Sequence, residues 1–209
     1  EDLYPIRHMQ SLKKLDLSCC GLEELDLPFL WKCDGIEELN LSNNPLRHPY
    51  PIRLAQSLKK LDLSGCGLEE LDLPFLWECD GLEELNLSNN PLHHEDLYPI
   101  RHMQSLKKLD LSGCGLEELN LPFLREDAEK FDLFFPWRCK IEGLNISNNP
   151  LTHLDLYFIS KMDKLKKLDL SGCGLKEFPW DLKIYVNLQE LNLSNNFFDH
   201  RDLLEKMNS

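Results

Sequence analysis

One short pattern recurs so often that it decides the architecture before composition is consulted. In residues 58–92 it occurs twice, as Leu58, Leu61, Leu63, Cys66, Leu68 and then Leu82, Leu85, Leu87, Asn90, Leu92. Its general form is L-x-x-L-x-L-x-x-(N or C)-x-L. The central L-x-L alternates with a period of two, so Leu61 and Leu63 point to one side of an extended segment while Lys60, Asp62 and Ser64 point to the other. An Asn at the ninth place can bond backbone groups left unpaired where the strand bends into a loop. One copy is too small to bury its own leucines. Stacked copies bury them jointly under one shared parallel sheet.

Eight copies begin at Leu12, Ile36, Leu58, Leu82, Leu106, Ile141, Leu165 and Leu188, with successive spacings of 24, 22, 24, 24, 35, 24 and 23 residues. The pattern resembles the leucine-rich repeat family, and the spacing near 24 resembles its typical class. The ninth place alternates between Cys20, Cys66, Cys114, Cys173 and Asn44, Asn90, Asn149, Asn196. Alternating Cys-type and Asn-type repeats are similar to those of ribonuclease inhibitors, whose repeats are longer, so only the alternation carries over. The resemblance implies an α/β leucine-rich repeat solenoid: a right-handed horseshoe with a parallel concave sheet and short helices or turns on the convex side. It also implies a protein–protein interaction module without enzymatic activity or a cofactor, since such scaffolds build surfaces rather than reaction centres.

The true unit is a pair of copies. Residues 12–35 and 58–81 differ only at Cys19/Gly65 and Lys32/Glu78, and residues 1–18 are identical to 95–112. Tandem duplication of a natural gene and an engineered or structural repeat scaffold both account for this; the uneven spacings favour duplication. The 209 residues are expected to form a single domain of about eight repeats, with Glu1 standing mid-unit as in a piece of a longer array. A net charge of −13 argues against nucleic acid, whose phosphates call for clustered Lys and Arg. Neither a membrane-length apolar run nor a signal peptide is recognisable.

After each Cys-type copy comes a segment such as residues 69–77, in which Leu71, Leu73, Phe75 and Leu76 are expected to pack the outer side and Pro74 to break regular pairing. After each Asn-type copy, Leu97, Ile100 and Met103 recur every three residues, which suits a 3₁₀ or α turn. Residues 202–207 read as the same turn at the C-terminal end.

The outward strand positions form columns. The third place reads Lys14, Glu38, Lys60, Glu84, Lys108, Gly143, Lys167, Glu190; the fifth alternates Asp and Asn; the seventh is always Ser. Strands about 4.8 Å apart bring each Lys beside a Glu. The face is therefore either a solvated, self-paired surface or a polar binding surface poor in aromatic anchors. Gly143 interrupts the Lys/Glu column.

Cysteines of one column lie two strands, about 9.6 Å, apart, beyond the reach of a disulfide. They are expected to be reduced, buried apolar residues, which favours a cytoplasmic, reducing compartment. Asn40, Asn86, Asn145 and Asn192 lie in N-x-S sequons whose glycans would crowd the sheet face, which favours the same compartment. His48, His94, His153 and His200 also form a column, again too widely spaced for one zinc ion. No H-E-x-x-H, phosphate loop or G-x-S-x-G occurs.

The 35-residue spacing places an insertion at 125–136, REDAEKFDLFFP. Long loops on repeat scaffolds are often functional. Phe131, Phe134 and Phe135 beside Trp137 either fold back into the scaffold or form a protrusion for a protein partner. The candidate contacts are these four residues together with Lys108, Asp110, Asn145, Lys167 and Asp169 on the neighbouring strands. The first coil lacks a polar cap, so Leu12, Leu15 and Leu17 are expected to be partly exposed or covered by Leu3, Ile6 and Met9, and its edge is expected to favour end-to-end self-association.

Overall fold

Each L-x-L core becomes a strand three residues long: β1 Lys14–Asp16, β2 Glu38–Asn40, β3 Lys60–Asp62, β4 Glu84–Asn86, β5 Lys108–Asp110, β6 Gly143–Asn145, β7 Lys167–Asp169 and β8 Glu190–Asn192. The computed structural model describes residues 9–23, 35–46, 57–71, 80–93, 95–97, 100, 103–118, 140–151, 159, 162–177 and 187–199. The strands form one eight-stranded sheet in chain order, with every neighbouring pair parallel. Equal repeat positions face each other, as in Lys14–Glu38, Glu38–Lys60 and Lys60–Glu84. Parallel neighbours need a long crossover, which the remainder of each repeat provides, and the result is a solenoid.

The core is the stack of repeated apolar positions. Leu61, Leu63 and Leu68 of one coil and Leu85, Leu87 and Leu92 of the next are all buried. Leu71 joins them on the outer side. A 3₁₀ turn stands at 95–97, and the recurring Leu97, Ile100 and Met103 are all buried. Little other helix occurs among the described residues, where short i+3 bonds such as Met103 N–H to Ile100 O at 3.0 Å turn the chain.

The Asn column closes the strand-to-loop bends. Asn90 Oδ1 accepts from the amides of Cys66 and Leu68, and its Nδ2 donates to Leu63 O and Leu87 O. Asn44 repeats the same four bonds with Cys20, Leu22, Leu17 and Leu41. Each Asn thus clamps its own coil to the Cys-type coil before it. The Cys column makes a weaker link: the thiols of Cys66, Cys114 and Cys173 donate to Leu41 O, Leu87 O and Ile146 O at 3.2–3.3 Å. Backbone bonds join every neighbouring pair of coils; the asparagine amide adds to them within a pair and the thiol between pairs.

The eighth place has positive φ in every copy, with Asn43 at 56° and Gly65 at 62° as examples. Asn tolerates this region and Gly favours it. Cys19, at 54°, is the exception.

Several expectations are corrected. The seventh-place serines do not all face solvent: Ser42, Ser88 and Ser147 are buried, because the strand ends at the fifth place and the seventh lies in the following turn. Cys66, Cys114 and Cys173 are buried free thiols, but Cys19 and Cys20 are exposed free thiols. No described coil precedes the first to cover Cys20. Leu12 and Leu15 are half-buried as expected, whereas Leu17 is buried, its N–H bonded to Asn40 O and its carbonyl to Asn44. Met9 is 50 % exposed and does not cover them. Leu3, Ile6, Leu73, Pro74, Phe75, Leu76, the cysteines at 33, 79 and 139, the histidine column and residues 202–207 lie outside the described residues.

Candidate protein-binding face

The outward third and fifth places of all eight strands line one open trough of about 1100 Å³, running from Lys14 to Asn192. None of its lining residues is aromatic.

The third-place column is an ion ladder. Glu84 sits between Lys60 at 3.5 Å and Lys108 at 2.9 Å, and Glu38 between Lys14 at 2.9 Å and Lys60 at 3.8 Å. Beyond Gly143, Lys167 pairs with Glu190 at 2.6 Å. A second ladder runs along the residues just before the strands, where Glu37 is held by Lys59 at 2.8 Å and Lys13 at 3.0 Å. The hydrogen bonds from Lys59 and then Lys13 bring the Glu37 carboxyl down to about 2. Lys166 likewise lowers Glu142, from 2.7 Å.

The fifth-place column is hydrogen-bonded. Ser64 donates its N–H and its hydroxyl to Asp62 Oδ1 at 2.9 and 2.7 Å, and Asn86 Nδ2 donates to Asp62 Oδ2 at 3.1 Å. Asn145 and Asn192 repeat this toward Asp110 and Asp169, both at 2.9 Å. The backbone bond from Ser18 is the main cause that lowers Asp16. Burial pushes Asp169 up, but the bonds from Ser171 and Asn192 outweigh it and leave it lowered. Asp16 and Asp169 therefore remain charged at neutral pH, and the hydrogen bonds set the orientation of the column before any partner arrives.

Of the candidate contacts, Lys108, Asp110, Asn145, Lys167 and Asp169 come together on β5, β6 and β7, with Lys108 opposite Gly143, Gly143 opposite Lys167, and Asn145 between Asp110 and Asp169. Phe131, Phe134, Phe135 and Trp137, with the whole 125–136 insertion, lie outside the described residues. Sequence reading left Glu84 and Glu190 out of the site, although each holds one of its lysines. The alternation of the column was the available signal. Among the described residues no group of His, Cys, Asp and Glu is placed to hold a metal ion, and no helix is long and apolar enough to cross a membrane.

The fold recurs among solved structures. A leucine-rich repeat protein of Leptospira interrogans superposes over 95 % of this chain with a TM-score of 0.72 at 22 % identity, and the chain spans 47 % of that protein. Two Listeria monocytogenes proteins align similarly. Internalin F does so over 99 % of this chain and 54 % of its own (TM-score 0.69, 18 % identity). Internalin C2 does so over 89 % and 73 % (TM-score 0.65, 17 % identity). No curated protein matches the sequence. The family profiles described as leucine rich repeat match residues 56–116 and, separately, 11–33, 35–56, 164–183 and 187–207. With the repeat register, the asparagine clamps and the parallel sheet all in agreement, this chain belongs to the leucine-rich repeat family.

Proposed function

We propose that the protein binds a protein partner across the polar sheet face. Leucine-rich repeat proteins are in general protein-interaction modules without enzymatic activity. The observation that carries the reading is the trough itself: one continuous surface across eight strands, whose charged groups are held in place by their neighbours. Side chains ordered in advance lose little entropy on binding, which offsets the lack of aromatic anchors. The insertion at 125–136 is the competing contact. Its phenylalanines supply the anchor chemistry that the face lacks.

Affinity capture with three forms of the protein separates these readings. The double change Lys60→Glu, Glu84→Lys keeps the net charge but sets like charges beside Glu38 and Lys108, so it scrambles the ladder's pattern. A second form lacks residues 125–136. Loss of partners on the swapped ladder alone supports the face, and loss on the deletion alone transfers the role to the insertion. Equal capture by all three forms would leave neither site with the role, and no capture by any form would support an engineered or structural scaffold without a specific ligand. We also propose a cytoplasmic location. It is supported by the buried free thiols and by sequon asparagines such as Asn86, whose amide is already bonded to Asp62.

A further inference from the structure

The ion ladder has one gap, and the fold does not require it. Third-place acids stand at Glu38, Glu84 and Glu190, but the corresponding position of β6 is Gly143. Gly143 is not among the glycines with positive φ. A Cβ built there would meet only Lys108 Cγ, at an ordinary contact distance of 3.7 Å. This contrasts with Gly65, where φ is +62° and a Cβ would lie 2.6 Å from Asn43 Oδ1. Backbone and packing explain Gly65, and neither explains Gly143.

The missing acid leaves two lysines with an acid on one side only. Lys108 is ion-paired with Glu84 and Lys167 with Glu190, and both lysine side chains are at least 60 % exposed. Interior Lys60, by contrast, has Glu38 and Glu84 on its two sides. Glu142, next in the chain, is engaged by Lys166 at 2.7 Å, outside the third-place column. Asn145, beside the gap, is committed to Asp110 and to Ser147 N–H. Lys108 and Lys167 stand two strands apart, about 9.6 Å at the backbone. One carboxylate spans that separation elsewhere in the same ladder, where Glu84 meets both Lys60 and Lys108.

From this geometry we propose that the gap at Gly143 receives a carboxylate side chain of the partner protein, held between Lys108 and Lys167 as Glu84 is held between Lys60 and Lys108. The inference rests on the binding face described above and names the chemistry that face recognises. The net charge of −13 repels a run of acids, so the preferred segment carries one Asp or Glu among neutral or basic residues.

The test uses a random peptide library displayed on phage and selected against the whole protein. Selected peptides are then titrated against wild type, Gly143→Glu, Gly143→Ala and the Lys60→Glu, Glu84→Lys swap. Gly143→Glu restores the column and is expected to melt at or above the wild-type temperature. Peptides are expected to contain an acid and to lose roughly tenfold or more in affinity, on the order of 1.4 kcal/mol, on Gly143→Glu or when that acid becomes its amide. Gly143→Ala, which adds bulk without charge, should bind about as wild type does. Acid-free peptides, or peptides indifferent to Gly143→Glu, overturn the carboxylate site; if these still weaken on the ladder swap, the face reading survives. Peptides indifferent to every change, or no selected peptide at all, overturn both.

Discussion

Asn90 is the clearest case of one side chain doing structural work in this chain. Its amide satisfies the N–H groups of Cys66 and Leu68 and the carbonyls of Leu63 and Leu87, in a site where it is 1 % exposed. Asn90→Ala strands several of these buried groups, each costing about 1–3 kcal/mol, so a loss on the order of 3–5 kcal/mol is expected. Cys66→Ala removes one weak thiol bond and a small volume, and about 1 kcal/mol is expected. Urea unfolding of the two variants checks the ranking, and equal losses would show that the two joints are equally strong. The sequence revealed that Asn90 would bond backbone at the bend. It did not reveal that three of those four bonds reach back to the preceding coil, since that depends on how coils stack rather than on the pattern within one. The same holds for Cys20: its column position predicted burial, and the structure exposes it because burial comes from the neighbouring coil.

A strand of this sheet carries only three residues, so the ladders between strands matter more than any strand alone. The alternation of Lys and Glu was legible from the spacing, but the sharing was not. Glu37 takes two lysines, whereas Lys166 takes Glu142 alone among the ion pairs the structure shows. Glu37 falls from 4.5 to about 2, and Glu142 and Asp16 are lowered as well. A carboxyl with a depressed folded-state pKa stabilises the fold fully above its unfolded value and loses that contribution as pH falls through the folded one. The expected window is therefore about pH 4.5 down to about 2, the span of the Glu37 shift. Each exposed pair contributes little by itself, but the ladder sums them. The urea midpoint should drop between about pH 6 and about pH 3, and about 0.5 M NaCl at the higher pH should reproduce part of that drop by screening. A midpoint that is flat across this range would mean that the ladder orders the face without stabilising the fold. Lys59, raised mainly by its hydrogen bond to Glu37, acts at the other extreme: its contribution is present at neutral pH and lost as alkaline pH rises through its folded value.

Across the whole molecule the unit of construction is two coils, and the reason lies at the eighth place. Gly65, Gly113 and Gly172 of Cys-type coils stand where a Cβ would come within 2.5–2.6 Å of the Oδ1 of Asn43, Asn89 and Asn148 in the preceding Asn-type coils. Cys19 carries a Cβ at this place in the first coil, where no described Asn-type coil precedes it. An Asn-type coil following another Asn-type coil would therefore place one eighth-position Asn against the next. With the coil from Leu82 in that slot, Pro91 would stand in the place where the tenth position of a Cys-type coil, Gly67, takes a φ of 70°. The sequence showed the alternation and the 125–136 insertion as its one long break, but not the steric contact that enforces the alternation. Two deletions test it. Removing residues 58–105 excises one complete pair and joins Ser57 to Leu106, which reproduces the natural Ser105–Leu106 junction. This shorter array should keep its circular dichroism spectrum and unfold in a single transition at a lower midpoint, because each coil contributes mainly through its neighbours. Removing residues 58–81 excises half as much chain but sets two Asn-type coils together. It should be less stable than the larger deletion by about 2 kcal/mol or more, the combined cost of a displaced Asn43 amide and unmet clamps on Asn90. If the single-coil deletion is instead the more stable of the two, any coil can follow any other, and the pairing is a record of duplication rather than a requirement of packing.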